Sequence, residues 1–159
     1  MKKIAIVGIG LLLSIAFNST GQTSKASPFS ISIRAQQSIV KPAQPIVIIL
    51  TTKNISGQSI RLGETNPGME YDFDVRDAHG QPVAEKELLK RLKHSTYVFR
   101  STSEVLKPGV ATQETFAISD YFDFTKPELY SIQVQRLVPY SLGHGAVKSN
   151  AITITVTPR

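Results

Sequence analysis

The sequence predicts an all-β protein, a two-layered antiparallel sandwich with one short helical connector. Three observations carry that prediction. Apolar and polar residues alternate with period two in segments spread along the whole chain, so each segment turns one face inward. Clusters of Gly, Pro and Asn separate these segments at short intervals. Helical spacing of apolar residues is confined to a single stretch, Ala84 to Lys93.

In chain order, Phe29, Ile31 and Ile33 alternate with Ser30, Ser32 and Arg34, which predicts the first strand. Pro42 and Pro45 lead into Ile46 to Leu50, whose unbroken apolar run predicts a central strand covered on both sides or at both ends. Asn54 to Gly57 reads as a turn, Ser59 to Leu62 as a weaker strand, and Asn66-Pro67-Gly68 as a second turn. Tyr71, Phe73 and Val75 form the inward face of the next strand, and Asp77-Ala78-His79-Gly80 makes a tight connection with Gly80 at positive φ. In the helical stretch, Leu88, Leu89 and Leu92 share one face, Lys86, Lys90, Arg91 and Lys93 take the others, and Glu87 is placed to pair with Arg91 one turn on. A weaker strand over Thr96 to Arg100 follows. Lys107-Pro108-Gly109 then turns the chain into a strand over Val110 to Ile118. Tyr130, Ile132 and Val134, and finally Ile152, Ile154 and Val156, complete the alternation. Many short strands with frequent turns point to a sandwich of immunoglobulin-like type. Tyr130 opens its strand directly after a turn. That is the placement of a tyrosine corner, with the ring in the core and the hydroxyl bonded to nearby backbone. Phe122 and Phe124, just upstream, are expected to plug the open end of the sandwich.

A chain of 159 residues supports one domain with a proper core. Lys2 and Lys3 precede an almost unbroken apolar run from Ile4 to Phe17, and the small residues Ser19 and Gly21 follow as a cleavage site requires. The run is shorter than the ~20 residues that span a hydrocarbon core. Residues 1–21 therefore read as a signal peptide whose removal leaves no membrane span, 22–27 as a flexible leader and 28–159 as the sandwich domain. The protein is expected to be exported, to the periplasm or the cell exterior. The net charge of +6 falls to +4 once Lys2 and Lys3 are removed, and the remaining basic residues are scattered rather than striped, so no nucleic acid is expected as a partner. Cysteine is absent, which excludes disulfides, thiolate nucleophiles, thiolate metal sites and a lipoprotein anchor together.

Two motifs carry a resemblance. The run Asp72 to Val83, with its Asp-Phe-x-Val-x-Asp-x-x-Gly-x-x-Val pattern, resembles the central hairpin of the intracellular proteinase inhibitor (BsuPI-type) family, and Lys53-Asn54-x-Ser56 and Leu106-x-Pro108-Gly109 fit the same layout. Phe122-Asp123-Phe124-Thr125-Lys126-Pro127-Glu128-Leu129-Tyr130 is similar to the Pro-Gly-x-Tyr entry to a late strand in many bacterial immunoglobulin-like modules. The resemblance spans roughly Pro45 to Arg136. It implies the sandwich fold and, as a possible activity, proteinase inhibition.

Chemistry-bearing constellations point away from catalysis. Asp72, Asp74 and Asp77, with Glu64 and Glu70 nearby, form a row rather than the converging oxygens that calcium needs, and Arg76 shares the face of Asp72 and Asp74. His79, His94 and His144 lack the spacing of a zinc pair. No Gly-x-Ser-x-Gly elbow is present, and Gly143-His144-Gly145 lacks the strand-to-helix setting of a phosphate cradle. The expectation is a chain without catalytic residue, cofactor or metal.

The leading functional reading is an exported, non-catalytic module that contacts another protein through the loops at one end of the sandwich. The connection from Leu137 to Lys148 is the candidate surface, with Pro139, Tyr140, Leu142 and His144 set among glycines and Tyr140 as anchor. A competing reading folds Tyr140 and Leu142 back onto the sandwich edge. Proteinase inhibition and carbohydrate binding are the alternative functions. The second is disfavoured by the absence of tryptophan and of a row of exposed aromatics along any strand.

Overall fold

The computed structural model describes residues 27–63, 67–95 and 103–158. The expected signal peptide, the leader up to Ala26, Glu64, Asn66 and the expected Thr96 to Arg100 strand lie outside the described residues. In chain order the strands are β1 (Phe29–Ala35), β2 (Ile39–Val40), β3 (Val47–Asn54), β4 (Ile60–Gly63), β5 (Tyr71–Arg76), β6 (Ser103–Leu106), β7 (Ala111–Ala117), β8 (Leu129–Leu137), β9 (Ala146–Lys148) and β10 (Ile152–Val156). The helices are α1 (Pro67–Glu70) and α2 (Glu87–His94).

One sheet has the order β1-β3-β7; the facing sheet has the order β2-β10-β8-β5, with β9 also paired to β8. β4 and β6 form a separate two-stranded ribbon. All pairings are antiparallel except the short β2–β10 pair. This is the expected all-β immunoglobulin-like sandwich. The predicted inward residues face each other across it: Ile33, Ile48 and Leu50 from one sheet meet Phe73, Val75, Tyr130, Ile132, Val134 and Ile154 from the other. A second, smaller cluster of Phe29, Ile31, Ile60, Leu62 and Leu106 fills the end beneath the β4–β6 ribbon.

Several local expectations need correction. The apolar run at Ile46 to Leu50 is not equally covered on its two faces. Ile46, Ile48 and Leu50 are buried, whereas Val47 and Ile49 are half-buried on the outer face of the central strand. Residues 84–86 are extended, with Glu85 bridging to Phe122, so the helix starts only at Glu87. With two turns left, α2 buries Leu89 alone; Leu92 is half-buried and Leu88 is 47% exposed. Glu87 pairs with Lys90 at 2.9 Å, three residues on, rather than with Arg91. Pro67 and Gly68 open the helical turn α1 instead of a simple reversal, so the chain has a second helical connector. The connection after Leu137 is no open loop, because β9 returns along β8.

Where β9 gives way to β10, the edge beside β8 is interrupted and side chains replace the backbone. Ser149 Oγ accepts from Val134 N–H at 3.0 Å, while Ser149 N–H donates to Val134 C=O at 2.8 Å. The Asn150 amide turns to the other sheet, accepting from Ile33 N–H at 2.9 Å and donating to Ile33 C=O at 3.0 Å. One bulge thus ties the two sheets together through side chains that bond the backbone of Val134 and Ile33.

Candidate protein-contact surface

The end of the sandwich where β8 finishes is built from four segments. Pro28 C=O accepts from Ile55 N–H at 3.1 Å, and Asn54 exchanges backbone bonds with Gly109 and Val110 at 3.0 and 2.9 Å, so residues 27–28, 54–58 and 107–110 are stitched together. The fourth segment is the β8–β9 hairpin, closed by Val138 N–H on Gly145 C=O at 2.9 Å. Asn54 holds the second of these segments from inside. Fully buried, it donates to Leu106 and Gln58 carbonyls at 2.8 and 2.9 Å, while its Oδ1 accepts from Ser56 N–H and Oγ. An asparagine at the end of an inward-facing strand can make all four bonds, which is why this polar residue is tolerated in the core.

The hairpin tip is a single 3₁₀ turn, Tyr140–Leu142, with Leu142 N–H on Pro139 C=O at 2.8 Å. That turn splits the predicted contact residues. Leu142 folds back with Val138 and Val147 onto the cluster containing Phe29, and Pro139 is half-buried at the base. Tyr140 points away and is 84% exposed, with its ring edge-on to His144 at 4.9 Å. The fold-back reading holds for Leu142 and is corrected for Tyr140, whose ring stays in water. Ile55 and Val110 extend the exposed apolar surface, at 55% and 46%. They were not singled out from sequence, although an isoleucine inside the polar turn Asn54 to Gly57 was the available signal. The segments 27–30, 53–59, 107–113 and 137–149 contain Lys53, Lys107, Lys148 and His144 and no Asp or Glu.

Beneath this surface lies a charge that sequence reading passed over. Arg136 of β8 is only 3% exposed and crosses from one sheet to the other. It donates to Thr52 Oγ1 of β3 and to Gly63 C=O, both at 3.2 Å, and pairs with Glu70 at 3.1 Å and Glu114 of β7 at 3.6 Å. Its guanidinium lies 5.0 Å from the Tyr71 ring and 5.9 Å from the Phe29 ring, at the boundary between the two apolar clusters. Tyr71 donates its hydroxyl proton to Glu114. Burial pushes that hydroxyl well above the usual tyrosine range, against the opposite pull of the Arg136 charge. The group is a bolt between sheets in a chain that has no cysteine to make one.

At the opposite end lie the two phenylalanines that precede β8. Phe122 and Phe124 are buried, the Phe124 ring meets Tyr130 edge-on at 4.8 Å, and Tyr130 donates its hydroxyl to Lys126 C=O at 2.9 Å. Tyr130 is a tyrosine corner. Asp74, once a candidate cation ligand, is paired with Arg76 at 2.9 Å. Asp77 accepts from the His79 and Gln81 amides, and those bonds hold its carboxyl below the usual range. No group of three or more His, Asp or Glu fit to hold a metal occurs among the described residues, and no helix there is long and apolar enough to cross a membrane.

The family described as flagellar collar protein C, N-terminal domain, matches residues 30–157, which takes in every described strand except the first residue of β1. The chain belongs to that family. No curated protein matches this collar-family chain. Among solved structures it is similar to the Pseudomonas fluorescens alkylpurine DNA glycosylase AlkC bound to DNA containing an abasic site analog, at 11% identity and a TM-score of 0.45. That likeness covers 83% of this chain but 31% of the glycosylase, so the chain spans about a third of that protein. The CARDB domain of PF1109 from Pyrococcus furiosus is 12% identical with a TM-score of 0.41, covering 82% of this chain and 94% of that domain. Spo0M, a sporulation control protein from Bacillus subtilis, is 12% identical with a TM-score of 0.47, covering 84% of this chain and 51% of that one.

Proposed function

We propose that this chain is an exported, non-catalytic domain of a flagellar collar, and that it contacts other flagellar proteins through the end carrying Tyr140. The observation that carries the reading is Tyr140 itself, 84% exposed at the tip of a hairpin whose neighbours Val138, Leu142 and Val147 are packed. A large ring on a rigid support loses little entropy on binding, which is what makes aromatic anchors effective. Membership of the collar family supports a flagellar partner. The Lys2-Lys3 start and the Ile4 to Phe17 run support export. Carbohydrate binding finds no support here, since Tyr140 is the one large aromatic that stands exposed among the described residues and it meets His144, not a row of rings.

The test is capture of flagellar components from envelope extract by the exported chain and by its Tyr140→Ala form. The expected result is capture by the wild type and a loss of roughly 30-fold or more in affinity for the variant, which corresponds to a hot spot of about 2 kcal/mol. A stable variant that retains every partner removes Tyr140 from the contact.

A further inference from the structure

We propose that the half of the Tyr140 end built by β1, β3 and β7 docks on a membrane surface that carries anionic lipid. The inference rests on the export proposed above, and it uses side chains other than those of the Tyr140 hairpin.

The patch is formed by the three stitched segments at residues 27–28, 54–58 and 107–110. Asn54 N–H donates to Val110 C=O at 2.9 Å and Gly109 N–H donates to Asn54 C=O at 3.0 Å, which sets Ile55 and Val110 on adjoining strand ends. Both side chains stand exposed. Their neighbours in the two turns, Ser56, Gly57 and Gly109, are small, so the aliphatic tips can reach a flat surface.

Cations flank these tips. Lys53 and Lys107 are exposed, and the segments 27–30, 53–59 and 107–113 contain no Asp or Glu. On the outer face of the sheet, Lys53 stands between Ser30 and Ala111. The acidic residues that bound the patch along the chain are placed elsewhere. Glu104 is opposite Leu62 on the β4–β6 ribbon, and the Glu114 carboxylate meets Arg136 and Tyr71 between the sheets. Lys148, on β9, lies beside Asp72 and Asp74 and is no part of the patch. Aliphatic tips flanked by ammonium groups match the layering of a lipid surface, with acyl chains beneath a plane of phosphates.

The path of the chain brings a membrane to this same end. The chain enters β1 here, where Pro28 C=O accepts from Ile55 N–H at 3.1 Å. Residues 18–27 are all that separates Pro28 from the apolar run Ile4 to Phe17, and ten residues reach at most about 35 Å. The bilayer that takes up the run during export therefore lies within that reach of Ile55 and Val110. The Phe124 end is a strand length further off, since β8 rises about 3.3 Å per residue. That proximity favours lipid over an acidic protein as the occupant. Once the run is removed, the patch holds the domain where it emerged.

Co-sedimentation of the exported chain with lipid vesicles tests this, with phosphatidylglycerol mixed into phosphatidylcholine against phosphatidylcholine alone. The expected result is binding to the anionic vesicles only, weakened at high salt because the charges are screened. Lys53→Glu/Lys107→Glu and Ile55→Ser/Val110→Ser should each lower vesicle affinity by about tenfold or more. Unfolding midpoints should not move, because all four side chains are exposed. Lys107→Glu alone gives a smaller loss by a second route if a double variant proves unstable. Tyr140→Ala should bind vesicles as the wild type does. Absence of binding to anionic vesicles, or unchanged binding by both double variants, overturns the inference. Loss of vesicle binding in Tyr140→Ala overturns it too, since the lipid contact would then lie in the hairpin. Double variants that hold vesicles but lose flagellar components assign the patch to a protein, and the inference fails. An exported chain that ignores vesicles leaves export standing, whereas a chain recovered at full mass from the cytoplasm removes export and docking together.

Discussion

Where β8 begins, the sandwich is closed by rings: Phe124 is buried against Tyr130 and Phe122 beside Phe73, and the Tyr130 hydroxyl donates to Lys126 C=O. Where β8 ends, the layer below the surface is closed by a guanidinium, with Arg136 drawn between Thr52, Gly63, Glu70 and Glu114 and between the rings of Tyr71 and Phe29. The two closures leave different surfaces. An aromatic plug uses its apolar area internally and leaves outside it an open groove that Lys86 lines together with Asp120 and Asp123. A polar bolt separates off a small second cluster, which shelters Leu142 but leaves Tyr140, Ile55 and Val110 in water. Closing an end with charge thus leaves apolar side chains exposed.

The largest effect that would sharpen this contrast is expected at Arg136. Arg136→Met keeps the length of the side chain but removes the cation that Glu70 and Glu114 share, and breaking a buried pair from one side costs about 3 kcal/mol. Denaturant titration measures it. A loss no greater than that of the tyrosine corner would mean that packing alone holds the sheets at both ends.

A smaller effect is expected at the apolar end. Tyr130→Phe removes one hydroxyl bond and should cost about 1 kcal/mol at neutral pH, seen as a lower unfolding midpoint at unchanged slope. The same hydroxyl predicts an alkaline limit. Burial, with Glu128 nearby, raises its pKa from 10.0 to about 12. Between those values the unfolded chain releases the proton and the folded chain holds it, so stability falls as pH rises. Tyr130→Phe should soften that decline, and an identical alkaline profile in both proteins would reject the assignment. Tyr71 and Tyr121, also raised by burial, sustain the remaining decline.

The smallest effect is expected at Tyr140. With 84% of the residue already in water, Tyr140→Ala should change stability by less than about 0.5 kcal/mol. A clear loss would place the ring in the fold and dissolve the contrast between the ends.

Strand parity was legible because period-two alternation follows from the pleat and needs no distant partner. It correctly turned Tyr130, Ile132 and Val134 inward, and the same parity runs on to Arg136, a signal that the arginine's charge concealed. The tyrosine corner was legible for a similar reason, since its acceptor lies four residues upstream. Helix α2 was legible in type but not in detail. Whether Leu88 or Leu89 is buried depends on where α2 meets the sheets, and residues 84–86 were drawn into an extended bridge with Phe122. Within the β8–β9 hairpin, the sequence placed Tyr140 and Leu142 together, and only the return of β9 along β8 sent one outward and the other inward.

By itself, then, the sequence determined the class of the fold and the facing of its strands, because period-two alternation depends on neighbours within a few residues. Tertiary structure decided what neutralises Arg136, since Glu70 and Glu114 lie 66 and 22 positions away along the chain. It also decided which apolar side chains remain outside. Burial and charge pairing are properties of segments brought together across the sandwich, and no local pattern encodes which distant segment will arrive.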